Sequence, residues 1–381
     1  MVSAVDPSRT DRGDRIRARH ALEALARRFD LDLVLIGPLP DAETTNQIKT
    51  LGARVFAIPF SKTQAGLGIL RGLVAKRPWG MLYSRRLRGV FEGRLENRYD
   101  VVLAFQLKTA PLAAQVPARI RILEMTDSLG LYRSLLPRNT AHLRRLALIG
   151  AETEEARWVN RYDFSLVSSE RDKAAIQKLT PSANLLVVEN GTTPWVEPVS
   201  PGAKTSLLFV GNLYYPPNRS GIEQFVRHDW PSVFQRTGLQ LRVVGEAPRS
   251  VLRTLRSPGV ACLGYVRDLR TEYERALALV NPVSYGTGTR SKILEAWAAG
   301  LPVISTSAGA EGLEFDDGEQ LLIADDAQAW SDAIIRLSNI PLMWTRIGAA
   351  GWQHVSERYN AQRLWTDALS TVLARAEEIR T

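Results

Sequence analysis

Residues 278–306, ALVNPVSYGTGTRSKILEAWAAGLPVIST, govern the reading of the whole chain. An apolar strand runs into a small Gly/Thr loop. A helix then opens with Arg290, Lys292 and Glu295 near its start, and a second apolar strand follows. Gly286 and Gly288, with Thr287 and Thr289 between and after them, permit positive φ and close approach of backbone to a ligand. Ile293 with Trp297, and Leu294 with Ala298, recur at i, i+4 and give the helix an apolar face. Gly300 is a natural stop, and Pro302 begins the next strand where a missing N–H costs little. Such a unit sets a diphosphate on the N–H groups of a helix N-terminus, with cations beside it. One turn on, Glu295 can accept hydrogen bonds from sugar hydroxyls. In isolation the three charges read as an ordinary solvated face; the strand–loop–helix–strand setting turns them into a nucleotide-sugar site. It is not a P-loop, because no GK[ST] follows a glycine at the required spacing.

Outward from this unit, short apolar runs alternate with helical segments. In the first half, strands are expected near 31–36, 54–58, 100–105, 120–125, 164–168 and 185–189, after a short first strand within residues 1–5. In the second half they are expected near 206–211, 240–244, 259–263, 277–283, 302–306 and 320–324. Near-continuous apolar strands separated by helices predict parallel sheets covered on both faces. Two such sets predict an α/β protein of two doubly wound, Rossmann-like domains. The expected boundaries are a first domain over 1–189, a Pro/Gly/Thr-rich linker over 190–205, a second domain over 206–357 and a terminal helix over 358–381. Leu364, Trp365, Ala368, Leu369, Val372 and Leu373 line one side of that helix.

Composition limits the chemistry. The 381 residues are enough for two cores. A lone cysteine, Cys262, excludes an intramolecular disulfide and fits a reducing cytoplasm; its apolar surroundings predict buried filler. The four histidines show no metal-ligand spacing, so no metal site is expected. No apolar run approaches the roughly 18 residues of a membrane span, and no signal-peptide core opens the chain. The expectation is a cytoplasmic protein, at most peripheral on the inner face of a membrane. Net charge is +9, and all of the excess lies in residues 1–200, where 30 Lys/Arg face 21 Asp/Glu. Between Lys62 and Arg98, nine basic residues and two acidic ones interleave with apolar and aromatic side chains. No nucleic-acid motif accompanies them. The segment 62–98 therefore reads as an interfacial patch for anionic lipid or a lipid-diphosphate acceptor, or else as a solvated basic surface.

The 278–306 stretch resembles the donor-site signature of family 4 glycosyltransferases, enzymes of the two-domain GT-B fold. Thr287 stands where that family often carries the first Glu of an E-x7-E pair, so the likeness is to a branch with G-x-G-x-R-x-K-x-x-E. The resemblance implies two Rossmann-like domains facing a central cleft, with the terminal helix crossing back to the first. It implies a UDP- or GDP-sugar as donor substrate, no cofactor, a glycan or lipid-diphosphate-linked acceptor, and transfer with retention in surface polysaccharide synthesis. Arg290 and Lys292 would stabilise the leaving diphosphate. FVGNLYYPPNRSG at 209–221 resembles the first donor-domain loop, which brings Gly211 and Asn212 to the sugar-phosphate, with Asn218 capping the helix after it. VGEAP at 244–248 and GYVRDL at 264–269 resemble the loops of the base pocket, which brings in Gly264 and Val266. SAGAEGLEF at 307–315 resembles the loop after the donor helix, with Glu311 either solvated or on the sugar.

Three places in the first half have two readings each. Gly13–Arg17, GDRIR, resembles the glycine-rich loop that faces the acceptor. Asp14 serves there or caps its helix, and Arg17, a cation in a first turn, suggests a nearby anion. Asp127 in EMTDS ends a strand, where doubly wound folds place ligands. It is expected either to meet an acceptor or sugar hydroxyl, which would make it the third catalytic residue, or to cap the next segment. Glu152, Glu154 and Glu155 read as a solvated face. A non-catalytic scaffold subunit of a polysaccharide assembly complex, and a GT-B epimerase or phosphorylase, are the alternative functions.

Overall fold

A computed structural model describes residues 1–9, 12–59, 78, 98–136, 146–200, 204–266, 268–285 and 290–378. The chain divides into two compact units, Met1–Asn190 with Gln362–Thr381, and Gly191–Ala361.

In the first unit the apolar runs form a seven-stranded parallel sheet. Its strands are β1 (Val2–Ser3), β2 (Leu31–Gly37), β3 (Ala53–Pro59), β4 (Tyr99–Phe105), β5 (Ala118–Thr126), β6 (Phe164–Val167) and β7 (Leu185–Val187). They lie in the order β3-β2-β1-β4-β5-β6-β7. Helix Gly13–Ala26 packs Ala18, Ala21, Leu22 and Leu25 against one face, and Trp365, Ala368, Leu369 and Val372 of helix Ala361–Glu378 join the same core. The opposite face is covered by Trp158, Val159, Ile176 and their neighbours. Burial on both faces explains why these strands read as continuous apolar runs rather than as alternating ones.

The second unit repeats the plan with six parallel strands: β8 (Ser206–Val210), β9 (Gln240–Val244), β10 (Val260–Gly264), β11 (Ala276–Asn281), β12 (Val303–Ser305) and β13 (Leu322–Ile323). The order is β10-β9-β8-β11-β12-β13. Residues 191–200 are tied to this unit rather than free: Trp195 N–H donates to Ala298 O (2.9 Å) and Val199 N–H to Ala299 O (2.7 Å). Cys262 is exposed, not buried. It lies on β10, at the end of the strand order, where only one flank is paired.

All strands run parallel, but the direction in which successive strands are added reverses between β1 and β4 in the first sheet and between β8 and β11 in the second. These are the switch points at whose carboxyl ends open α/β sheets hold ligands.

Candidate functional site

At the switch point of the second unit, the loop after β8 meets the helix Ser291–Ala298. Gly211 donates its N–H to Val244 O (2.9 Å). A Cβ built on Gly211 would lie 2.8 Å from Asn218 Nδ2 and 3.4 Å from Lys292 Nζ. Glycine lets this backbone pass close to the two polar heads without displacing them. Asn218 holds them together: its Nδ2 donates to Asn212 O (3.1 Å), and Lys292 Nζ donates to its Oδ1 (2.7 Å). Lys292 Nζ also lies 4.5 Å from the centre of the Phe209 ring, a geometry that favours a cation. Asn218 was expected as a helix cap. Instead Pro216 opens the helix Pro216–Gln224 with Tyr215 in the cap position, leaving the Asn218 amide to orient Lys292. The side chain of Asn212 turns back to accept from Tyr214 N–H (2.8 Å).

Lys292 and Glu295 are both half-buried, one turn apart on the same helix. Burial pushes the Lys292 ammonium down to about 7; Arg290 adds to the fall and Glu295 opposes it. Burial pushes Glu295 up to about 7 against the pull of Lys292. Such opposed shifts leave two groups able to exchange charge near neutrality. Arg290 sits at the cap position of their helix and reaches back to Ala308 O (2.7 Å), with Glu311 Oε2 3.9 Å away. Beside Glu295, within reach of its charge, lies Tyr273, whose phenol is buried with no hydrogen-bond partner among the described residues. Gly264 ends β10 with φ 69°, and Val266 lies just beyond it on the same unit. Gly286, Thr287, Gly288 and Thr289 lie outside the described residues, as does the segment 62–98 apart from Pro78 and Arg98.

In the first unit the acceptor candidates separate. Arg17 does not face an open anion site. It is 2% exposed, and its guanidinium donates to both oxygens of the fully buried Glu124 (2.7 and 3.0 Å), to Val188 O (2.7 Å) and to Asn190 Oδ1 (2.8 Å). It also lies 5.3 Å from the centre of the Trp365 ring. The first-turn cation is thus offset by an internal carboxylate. Gly13 begins this helix; Asp14 does not cap it, because its carboxylate pairs with Arg12 (2.6 Å).

Asp127 does not cap its helix either. Ser128 is the cap of Leu129–Leu135, accepting from Leu131 N–H (3.1 Å). That leaves Asp127 half-buried at the carboxyl end of β5, where its Oδ1 accepts from Ser168 Oγ (3.0 Å). Burial and the Asp172 carboxylate push it up to about 6. The expected solvated acids are mostly internal: Glu154 is 2% exposed and Glu155 fully buried, accepting from Leu129 N–H (2.6 Å), Gly130 N–H and the Ser128 hydroxyl. Glu155 is buried because the helix Ala151–Val159 docks against that helix start, whereas Glu154 accepts from Trp158 Nε1–H on its own helix (3.0 Å).

Two positions escaped sequence reasoning. Gln106 (φ 69°) and Thr126 (φ 66°) adopt left-handed backbone at the ends of the adjacent strands β4 and β5. Strain of this kind, of order 1–3 kcal/mol per residue, persists where surrounding structure enforces it and gathers at functional sites. No residue type announces it.

Residues 204–339 match the family model described as Glycosyl transferases group 1. Over 171 residues the chain is 27% identical to an uncharacterized 44.6 kDa protein in the cps region of Klebsiella pneumoniae, covering 42% of this chain and 44% of the relative. The chain thus spans less than half of that relative's length. The solved sucrose-phosphate synthase from Thermosynechococcus elongatus superposes with a TM-score of 0.67 at 18% identity, over 100% of this chain and 98% of that one. Anabaena HepE in complex with UDP and glucose does so with a TM-score of 0.65 at 14% identity, over 98% of each chain. The chain has the α/β fold of GT-B glycosyltransferases, and its second unit carries the match to the glycosyl transferase family.

Proposed function

We propose that the protein is a glycosyltransferase that moves a sugar from a UDP- or GDP-sugar to a glycan or lipid-diphosphate-linked acceptor. The observation that carries this is Lys292, held by Asn218 over the backbone of Gly211 at the switch point of the second sheet. A diphosphate there receives the Lys292 ammonium, the Arg290 guanidinium and the N–H groups of a helix start. Glu295 takes the hydroxyls of a sugar. Gly264 and Val266 line the base with main-chain atoms. Lys292 and Arg290 act mainly on the transition state, because negative charge grows on the leaving diphosphate as the glycosidic bond breaks. No cofactor is required in this reading, and the nucleotide sugar is a substrate.

In the first unit, Asp127 accepts a hydrogen bond from an acceptor hydroxyl, and Gly13 and Asp14, at the start of the helix Gly13–Ala26, also serve the acceptor. Transfer proceeds with retention: the acceptor oxygen bonds to the anomeric carbon, the bond to the diphosphate breaks, and the hydroxyl proton passes to the departing phosphate oxygen. The cps-region relative supports a place in polysaccharide synthesis. No helix among the described residues is long and apolar enough to cross a membrane. The basic segment 62–98 would hold the protein on an anionic inner surface facing the cytoplasm.

Calorimetric titration with UDP, GDP, ADP and dTDP, without and with magnesium, tests the reading. Micromolar binding of one diphosphate, abolished in a Lys292→Ala/Glu295→Ala double variant, is expected. Binding of none would favour a non-catalytic scaffold.

A further inference from the structure

Between the ends of β5 and β6 lies a second carboxylate that none of the roles above employs. Asp172 is 3% exposed in the first turn of the helix Glu170–Leu179. Its Oδ1 accepts from Ser128 N–H (2.8 Å), the peptide that directly follows Asp127, and its Oδ2 accepts from the Ser169 hydroxyl. On the other side, Ser168 donates its hydroxyl to Asp127 Oδ1 (3.0 Å) and its N–H to Thr126 O (2.8 Å). The residue before Asp127 is the left-handed Thr126, whose N–H is held by Glu124 Oε1 (2.7 Å). Asp127 is therefore flanked by three clamps: Glu124 on Thr126, Asp172 on the peptide after it, and Ser168 on its own carboxylate.

We infer that Asp172 is the positioning residue of Asp127, fixing the peptide that aims this carboxylate and acting on it through its own negative charge. Helix starts attract carboxylates for capping, and Asp172 does stand beside such a start. Yet its Oδ1 is directed to the neighbouring strand's loop, 44 positions away in sequence. The charged groups facing Asp127 are Asp172, Arg17 and Glu124. Arg17 is neutralised by Glu124 at 2.7 Å, which leaves Asp172 as the charge with the larger effect. After burial it is the main cause that raises Asp127 to about 6, whereas the Ser168 hydrogen bond pulls the other way.

The inference deepens the proposed acceptor role of Asp127, and its first readout is independent of activity. In full-length protein with 13C-carboxyl aspartate, the Asp127 signal, assigned by its loss in Asp127→Asn, is titrated by NMR. Asp172→Asn keeps an oxygen for Ser128 N–H and removes the charge, so the Asp127 midpoint should fall by about one pH unit. Asp172→Ser also removes the charge and should lower the midpoint likewise, which keeps the test alive if Asp172→Asn fails to fold, and Ser168→Ala, which removes a bond to the ionised form, should raise it. An Asp127 midpoint unmoved in folded Asp172→Asn overturns the inference. Where the midpoint moves, the acid limb of kcat/KM for the acceptor should move with it while the donor Kd stays constant. A moved midpoint with an unmoved acid limb upholds the coupling and removes Asp127 from the acceptor site.

Discussion

Replacing Arg17 by Met tests the architecture of the first unit without any assumption about chemistry. The substitution keeps the apolar stem beside Trp365 and deletes the guanidinium. Glu124, fully buried, then retains hydrogen bonds, among the described residues, only from Thr126, through its N–H (2.7 Å) and hydroxyl (3.2 Å). Breaking one side of a buried ion pair costs about 3–5 kcal/mol, because a charge is stranded away from water. For a unit of this size that corresponds to a fall of roughly 6–20 °C in its unfolding midpoint. Adding Glu124→Gln removes the stranded charge and keeps an acceptor for Thr126 N–H, so the double variant should recover at least half of the loss. Hydrogen exchange read on peptides from β5 and from the helix Ala361–Glu378 assigns the change to this unit. An Arg17→Met protein within about 1 kcal/mol of the parent, but with a raised acceptor KM, would refute the structural role and restore the anion-binding one.

Donor affinity should pass through an optimum near pH 7. Above it, free Lys292 loses its proton while the bound diphosphate restores it, so binding weakens about tenfold, or about 1.4 kcal/mol, per pH unit. Below it, Glu295 is protonated and gives up its sugar hydroxyls. Calorimetry at several pH values checks both limbs, and Lys292→Met should flatten the alkaline one alone. Gly211→Ala places a methyl 2.8 Å from Asn218 Nδ2; the amide can yield but loses Lys292, so stability changes little while nucleotide Kd rises by roughly tenfold. Glu295→Ala should weaken donor binding by about 1–3 kcal/mol through a lost charged hydrogen bond, and an unchanged Kd would remove it from the site.

The parallel sheets were legible because burial on both faces leaves an unbroken apolar signature, as in Val101–Phe105 and Ala276–Val280. Arg290, Lys292 and Glu295 stood out only through the strand–loop–helix–strand setting, since off the apolar face of their helix such charges read as solvated. Side-chain assignments that depend on distant partners were not legible. Arg17 meets Glu124 across 107 positions and Asn218 meets Lys292 across 74, and local pattern carries no trace of such meetings. Capping failed in the same way: Asp14, Asp127 and Asn218 all have the right chemistry for a cap. In each case the helix begins elsewhere: the nearby Arg12 claims Asp14, and tertiary contacts claim Asp127 and Asn218.

Residues 362–378 complete a core whose other members lie before Asn190. The first unit is therefore discontinuous along the chain, with the whole second unit inserted between its pieces. During synthesis the second unit can close on contiguous sequence, whereas Leu22, Leu25 and Phe105 wait for Trp365 and Val372 to emerge. Contacts of such long sequence separation are costly in chain entropy and form late. The order in which the ribosome delivers the chain thus makes the first unit the last to mature, and its apolar face is the surface a chaperone would need to shield.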